Sequence, residues 1–396
     1  MNPGIMKDMK ARIKNVMKLD MPVPTYLSIL TILFCLSCTS RKDKMDLIEI
    51  HPSPGYFQEH FELHSIVPVE TSDSFLLADI DKIVKAGEDY LLLSKKVCTV
   101  LLIDGFLGKV KTKISKYGTG PGESRNILDM AFDEERNHIL VYNDYSKLLR
   151  FDLNGRFLFE HPIDGIYEGL TFYDGKAVFY NKLNGYSCFP YQLGLLDLST
   201  NGWSRIGTDE ELYFPMRSKG LQLVRSRGVY FNAPLDFNIY RLEGNDYSSV
   251  KELNFPKERL TDEFIRLSVK NPIDFMTQIR EDAIVYSINS IRELDFCWAF
   301  RTNLMELCFL PKDNEARVLK DKFVFWDFFN LTPADYCPHD GDDDKLIFVL
   351  DANRWVDGLK TLGELPSDWE KMVSSVNVRN DDNQILLVFK ESKIID

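Results

Sequence analysis

Ile127 to His161, ILDMAFDEERNHILVYNDYSKLLRFDLNGRFLFEH, constrains the fold more than any other stretch of the chain. It divides into four short apolar runs, Leu128–Phe132, His138–Tyr142, Lys147–Phe151 and Arg156–Glu160. Between them lie Asp133–Asn137, Asn143-Asp144 and Asp152–Gly155, segments rich in turn formers. Runs of about five residues joined by tight turns predict an antiparallel meander. In the DLNG turn, Gly155 supplies the positive φ that side-chain-bearing residues resist.

The unit recurs. Upstream are YLLLS (90–94), TVLLID (99–104) and GKVKTKI (108–114). Downstream come KAVFYNK (176–182), YQLGLLDL (191–198) and NGWSRIG (201–207), then GVYFNAP (228–234), FNIYRLEG (237–244) and VKELNF (250–255). LDFCWAFR (294–301), residues 304–319, KLIFVLD (345–351) and QILLVFKES (384–392) complete the series. The period is roughly 45 residues before insertions, the spacing of propeller blades. Two segments break the pattern. Residues 256–282 read as helices, with Asn271-Pro272 as a cap followed by Pro in the first turn. Residues 366–376 carry a capping box from Ser367 to Glu370.

KYGTGPGES, residues 116–124, leads into the meander. A phosphate loop needs Lys and a hydroxyl after its last Gly, whereas Glu123 follows Gly122. A dinucleotide fingerprint opens a helix, whereas this one opens a strand. Gly118, Gly120 and Gly122 are therefore read as a corner between two blades. This stretch and the meander resemble the NHL-type propeller repeat. The whole chain is similar to the six-bladed β-propeller lipoproteins of Bacteroidetes. That likeness rests on the G-x-GPGE corner, the PVET stretch at Pro68–Thr71 and the apolar strand Ile385–Phe389. It implies an all-β, six-bladed β-propeller of four-stranded antiparallel blades, with short helical insertions. Closure is expected to join a strand near residues 62–71 to the C-terminal strands.

The N-terminus carries a second message. Tyr26–Ser37 is an apolar run of twelve residues preceded by Lys7, Lys10, Arg12, Lys14 and Lys18. That is short for a membrane span and suits a signal-peptide core. It ends in Cys35-Leu36-Ser37-Cys38, which resembles a lipobox and implies lipidation of Cys38. The expected layout is a signal peptide at 1–37, the lipidated Cys38 and tether at 38–60, and the propeller at 61–396. The formal charge of −12 falls to −15 once residues 1–37 are removed. Such a chain has no basic excess for nucleic acid.

Motifs of chemistry are scarce. There is no H-E-x-x-H, G-x-S-x-G or C-x-x-C-H. Cys337 and His339 stand two apart, in the manner of a metal pair or of a nucleophile with its base, and no third ligand or orienting group adjoins them. Asp340, Asp342 and Asp344 alternate as weak candidates for Ca²⁺, without the Gly and Glu of an EF-hand. No cofactor is otherwise expected. Trp326, Phe328, Phe329 and Trp355 are candidates for stacking at a mouth, against the commoner role of ring packing. The reading that results is a non-catalytic lipoprotein of the bacterial outer membrane, binding a glycan, peptide or envelope protein at the propeller mouth. Two alternatives stay open: a Ca²⁺-dependent hydrolase or lactonase-like enzyme, and a structural subunit of an outer-membrane complex.

Overall fold

A computed structural model describes residues 47–49, 51–55, 60–144, 146–163, 165–181, 191–208, 220–255, 260–312, 317–321, 331, 335–341, 344–361 and 367–392. Cys38, Asp342, Trp326, Phe328 and Phe329 lie outside them.

The second strand of the first meander shows why the ring forms. In Asp89–Ser94, Leu91 and Leu93 enter one apolar core while Tyr90 and Leu92 enter another. Alternate residues of a strand point to opposite faces, so a strand covered on both faces reads as an unbroken apolar run. Each sheet must then have a sheet on either side. Six blades in a closed circle satisfy that demand without exposing an end.

Blade I comprises Lys82–Ala86, Asp89–Ser94, Thr99–Ile103 and Val110–Ile114. Blade II comprises Ile127–Asp133, His138–Asn143, Lys147–Phe151 and Phe157–Pro162. Blade III comprises Gly169–Tyr173, Lys176–Tyr180, Tyr191–Asp197 and Trp203–Thr208. Blade IV comprises Leu223–Arg225, Val229–Phe231, Asn238–Glu243 and Asp246–Asn254. Blade V contains Ile288–Glu293, Cys297–Thr302 and Leu307–Pro311, with Arg317–Asp321 following. Blade VI contains Lys345–Leu350, Ile385–Glu391 and Phe61–Pro68. Its inner edge is the segment through Tyr336, which bridges Phe348, and His339–Asp340, which pairs in parallel with Ile83-Val84 of blade I. The six-bladed expectation is met. Taken in the order VI, I, II, III, IV and V, the first strands of neighbouring blades touch one another around the axis.

Six apolar cores lie between neighbouring blades. The last, between blades VI and I, joins Val67, Ile347, Leu386 and Val388 to Ile83, Leu92 and Leu101. It exists because Phe61–Pro68 forms the outermost strand of blade VI, antiparallel to Ile385–Glu391. Asn383 fastens the same seam. Its Oδ1 accepts from the Leu77 N–H at 2.8 Å, and its Nδ2 donates to the Glu70 carbonyl at 2.8 Å. Glu70 belongs to the PVET stretch, which therefore acts as part of the clasp. Within the stretch read as a tether, Leu47–Glu49 pairs in parallel with blade IV and His51–Gly55 with Arg317–Asp321.

The glycine-rich segment is the corner from Val110–Ile114 of blade I to Ile127–Asp133 of blade II. Gly122 has φ 72°, and a Cβ there would lie 2.7 Å from Phe157 Cβ. Glu123 folds back so that its carboxylate accepts from the Gly120 N–H at 2.9 Å. A carboxylate of the chain itself thus uses the donor that a phosphate would seek.

The insertions fold as helices. They are α1 (Asp262–Lys270), α2 (Pro272–Glu281), α3 (Ala352–Thr361) and α4 (Ser367–Ser374). Thr261 caps α1, and Asn271 caps α2 through the Asp274 N–H. Phe264, Phe275, Ile279 and Tyr286 make a seventh, smaller core under α1 and α2. Among the described residues no helix is long and apolar enough to cross a membrane.

Replacing Asn383 by Ala is expected to cost about 2–3 kcal/mol, because it leaves the Leu77 N–H and the Glu70 and Phe75 carbonyls across the seam without their partner. Urea unfolding of the Asn383→Ala variant reads this directly, and a change below about 0.5 kcal/mol would remove Asn383 from the closure.

Candidate functional site

Two regions concentrate polar groups inside the ring. The first lies on the axis. Lys82 opens the innermost strand of blade I and has no exposed surface. Its Nζ lies 2.9 Å from the Met130 carbonyl oxygen, 2.6 Å from that of Leu170, and 2.9 Å from Asp129 Oδ1. An ammonium has three N–H donors, so these oxygens saturate it. Asp340 Oδ2 stands 3.8 Å from the same nitrogen. Asp129 also accepts the main-chain N–H groups of Met130 and Leu170, each at 2.7 Å. Asp340 accepts the Thr171 hydroxyl at 2.5 Å and the Arg225 N–H. Arg292, equally buried, donates to the carbonyls of His339 at 2.9 Å and Gly341 at 3.1 Å.

Each of the six innermost strands contributes at least one group to this network. Burying a charge is costly unless it is paired and hydrogen-bonded; here Lys82 meets Asp129 and Asp340, and Arg292 donates to two main-chain carbonyls. The sequence reading missed Lys82, Asp129 and Arg292. A visible signal was Asp129 in the middle of the apolar run ILDMAF. The oxygens around Lys82 Nζ are of the kind a hard divalent cation takes. An ammonium already stands among them, and its charge opposes a second cation at that spot.

Of the proposed metal candidates, Asp342 lies outside the described residues, and the other two stand in different surroundings. Asp340 is committed to the axis, whereas Asp344 lies 3.7 Å from Lys390 at the edge of blade VI. Among the described residues no group of three His, Cys, Asp or Glu could hold a metal. Cys337 and His339 do not form a nucleophile and base. The Cys337 Sγ points to the Ile80 carbonyl at 3.6 Å, while His339 Nε2 lies 2.8 Å from the Lys345 carbonyl. Burial raises the Cys337 thiol well above its ordinary pKa, which leaves little thiolate at neutral pH. Trp355 is fully buried in the core between blades V and VI and offers no stacking face.

The second region is a cavity of about 490 Å³. Its lining comes from links between one blade's outermost strand and the next blade's innermost strand, from second-to-third strand turns, and from the strand ends beside them. Antiparallel strands deliver all of these to one end of the ring, so the cavity sits in a mouth. Both helical insertions occupy the same two kinds of link, α1 and α2 between blades IV and V, α3 and α4 within blade VI. The charged lining residues are Asp79, Asp81, Lys95, Arg301, Asp335 and Asp351.

Arg301 is the unusual one. It is the next-to-last residue of the second strand of blade V and is 3 % exposed. Its Nη1 donates to the Tyr336 carbonyl at 3.1 Å, and its Nη2 contacts Met305 Sδ at 3.0 Å. Its Nε is buried without a hydrogen-bond partner among the described residues. Burial draws the guanidinium below its ordinary pKa, although it stays charged at any working pH. The nearest candidate counter-ion, Asp335, is taken. Arg354 binds it bidentately at 2.6 and 2.9 Å, which raises the Arg354 pKa further.

A family model described as Domain of unknown function (DUF4934) matches residues 46–390. The chain belongs to the DUF4934 family. Among curated proteins none matches it. The fold is similar to that of a Bacteroides fragilis protein classed as exported, with TM-score 0.71 and 16 % identity over 88 % of this chain and 100 % of that one. A DUF4221 family member from Bacteroides vulgatus gives TM-score 0.47 and 10 % identity over 85 % of this chain and 99 % of that one. At this identity the first likeness speaks for the propeller fold of the DUF4934 chain and for nothing else.

Replacing Lys82 by Met leaves Asp129 and Asp340 buried without their cation. The expected loss is about 3–5 kcal/mol of unfolding free energy. A urea midpoint within error of the parent would show that the axis does not depend on this ammonium.

Proposed function

We propose that the protein is an exported, lipid-anchored binding protein of the bacterial envelope that takes its ligand in the mouth cavity and performs no chemistry on it. The observation that carries this reading is the cavity itself, with a buried and underused guanidinium in its wall. Pockets of about 300–1,000 Å³ with a few convergent polar groups are the usual form of small-ligand sites. Loops on a rigid scaffold commonly carry such sites. Export and anchoring are supported by the apolar run Tyr26–Ser37 and by Cys38 after it.

The non-catalytic reading is favoured over a metal-dependent hydrolase by the ammonium at the axis. It is favoured over a thiol enzyme by the protonated, main-chain-bound Cys337. An outer-membrane placement, with the folded part on either side of that membrane, follows from the lipobox resemblance.

Two experiments test the proposal. In the native host, Cys38→Ser is expected to abolish incorporation of labelled palmitate and release the protein from the membrane fraction. Label retained at the wild-type level would end the anchoring reading. For the mouth, thermal unfolding is followed with panels of peptides, sugars and Ca²⁺. A ligand at 100 times its Kd stabilises the native state by about 2.7 kcal/mol. Leu221→Trp, which places bulk in the cavity wall, is expected to keep the parent melting temperature and lose the ligand shift. A shift unaffected by Leu221→Trp would place binding elsewhere, and a Ca²⁺ shift reversed by EDTA would favour the metal enzyme.

A further inference from the structure

The mouth cavity has a charge pattern that narrows its ligand. At its wall stands Arg301, buried, with no carboxylate within 4.0 Å among the described residues and with Nε unpartnered. A guanidinium has five N–H donors in a fixed fork. Two of its contacts are with protein, and one of those is a thioether, a weak acceptor. Met305 reaches Arg301 from the second-to-third strand turn of blade V with φ 66°, a left-handed backbone unusual for a residue with a side chain. Strain of this kind collects at ligand sites. The flexible thioether covers a donor that a carboxylate oxygen would satisfy far better through a charge-assisted bond.

The rest of the lining is acidic. Asp335 is neutralised by Arg354. Asp79 and Asp351 are exposed, and their carboxylates accept no hydrogen bond among the described residues. Asp81 accepts one, from the Lys95 N–H at 2.7 Å. Lys95 is the remaining cation, at the exposed rim. With Arg354 included, the carboxylates outnumber the cations by one. A purely anionic ligand would meet Arg301 and be repelled by Asp79, Asp81 and Asp351. A purely cationic one would leave Arg301 uncompensated.

We infer that the cavity selects a zwitterion of amino-acid or short-peptide size. Its carboxylate binds Arg301 in place of the Met305 sulfur, and its ammonium faces Asp79, Asp81 and Asp351. The inference rests on the mouth being the ligand site, as proposed above.

The test is calorimetric titration of the protein with trialanine, N-acetyl-trialanine, trialanine amide, glucuronate and a neutral trisaccharide. Trialanine is expected to bind. Blocking either terminus is expected to weaken binding at least tenfold, and glucuronate is expected to be weaker still. These arms use the unaltered protein and do not depend on a variant folding. In Arg301→Gln the preference for trialanine over its amide is expected to vanish, while the preference over the acetylated form remains. Arg301→Lys, which keeps the charge but not the fork, is expected to retain part of the first preference. Equal affinity for free and blocked peptides would overturn the inference. So would tighter binding of glucuronate or the trisaccharide. If that binding is lost in Leu221→Trp, the mouth reading stands and only the zwitterion falls. If no probe binds, both fall.

Discussion

The hydrogen-bonded ladder between Phe61–Pro68 and Ile385–Glu391 holds the rest of the structure in place. It joins an early strand of the chain to its last described strand in one blade. Without it, blade VI would lose its outermost strand and the Val67 and Val69 side chains would leave the last inter-blade core. That core is what turns a row of sheets into a ring. Every blade has two apolar faces, so an open row would expose one face at each end. Asn383 and Gln384 add side-chain bonds to the residues after Phe61–Pro68, at Leu77, Glu70 and Ala78. The seam is thus secured by main chain, side chain and core together.

Closure also creates the axis. Six innermost strands meet there, and their inward side chains need partners that come from other blades. Thr171 and Asp340, which share a hydrogen bond, are 169 positions apart in the chain. The outcome is a charge-balanced plug at the level of Lys82 and Arg292, with the mouth cavity formed by the blade links. The plug gives a rigid floor, and the mouth carries the groups left over. Arg301 belongs to the mouth because its would-be counter-ion, Asp335, is held by Arg354 of α3. A helix inserted between two strands thereby changes the chemistry of a third element.

Much of the β-sheet was legible because two-face burial writes long apolar runs. YLLLS, TVLLID and QILLVF are strands at nearly the positions expected. The DLNG turn, the Asn271-Pro272 cap and the glycine corner were legible because each needs a particular backbone or side-chain property. Apart from Leu128–Phe132 of blade II, the innermost strands were not. Leu223–Arg225 is three residues long, and Ile288–Glu293 contains Asn289, Ser290 and Arg292, all buried. Their inward faces are polar by necessity, so a search for apolar runs passes over them. Helix α3 was missed although Ala352, Trp355, Val356 and Leu359 fall at helical spacing, because it follows directly on the strand run KLIFVLD. Asp340 read as one of three alternating carboxylates because its partners, Thr171 and Arg225, are supplied only by the closed ring. Arg301 read as an ordinary strand residue for the same reason. Whether a guanidinium has a carboxylate beside it is a property of the assembled blades.

The measurement that tests this account most directly is native-state hydrogen exchange resolved to individual strands. If the seam governs the ring, the amides of Phe61–Pro68 and Ile385–Glu391 open with the same free energy as those of Ile83–Ala86 and Met130–Phe132, at the global value. The mouth segments, Asp79–Asp81 and Thr302–Glu306, exchange much earlier. Exchange of Phe61–Pro68 at a markedly lower free energy, with the axial strands still protected, would contradict the account. The ring would then persist without its clasp, and the axial network alone would hold it.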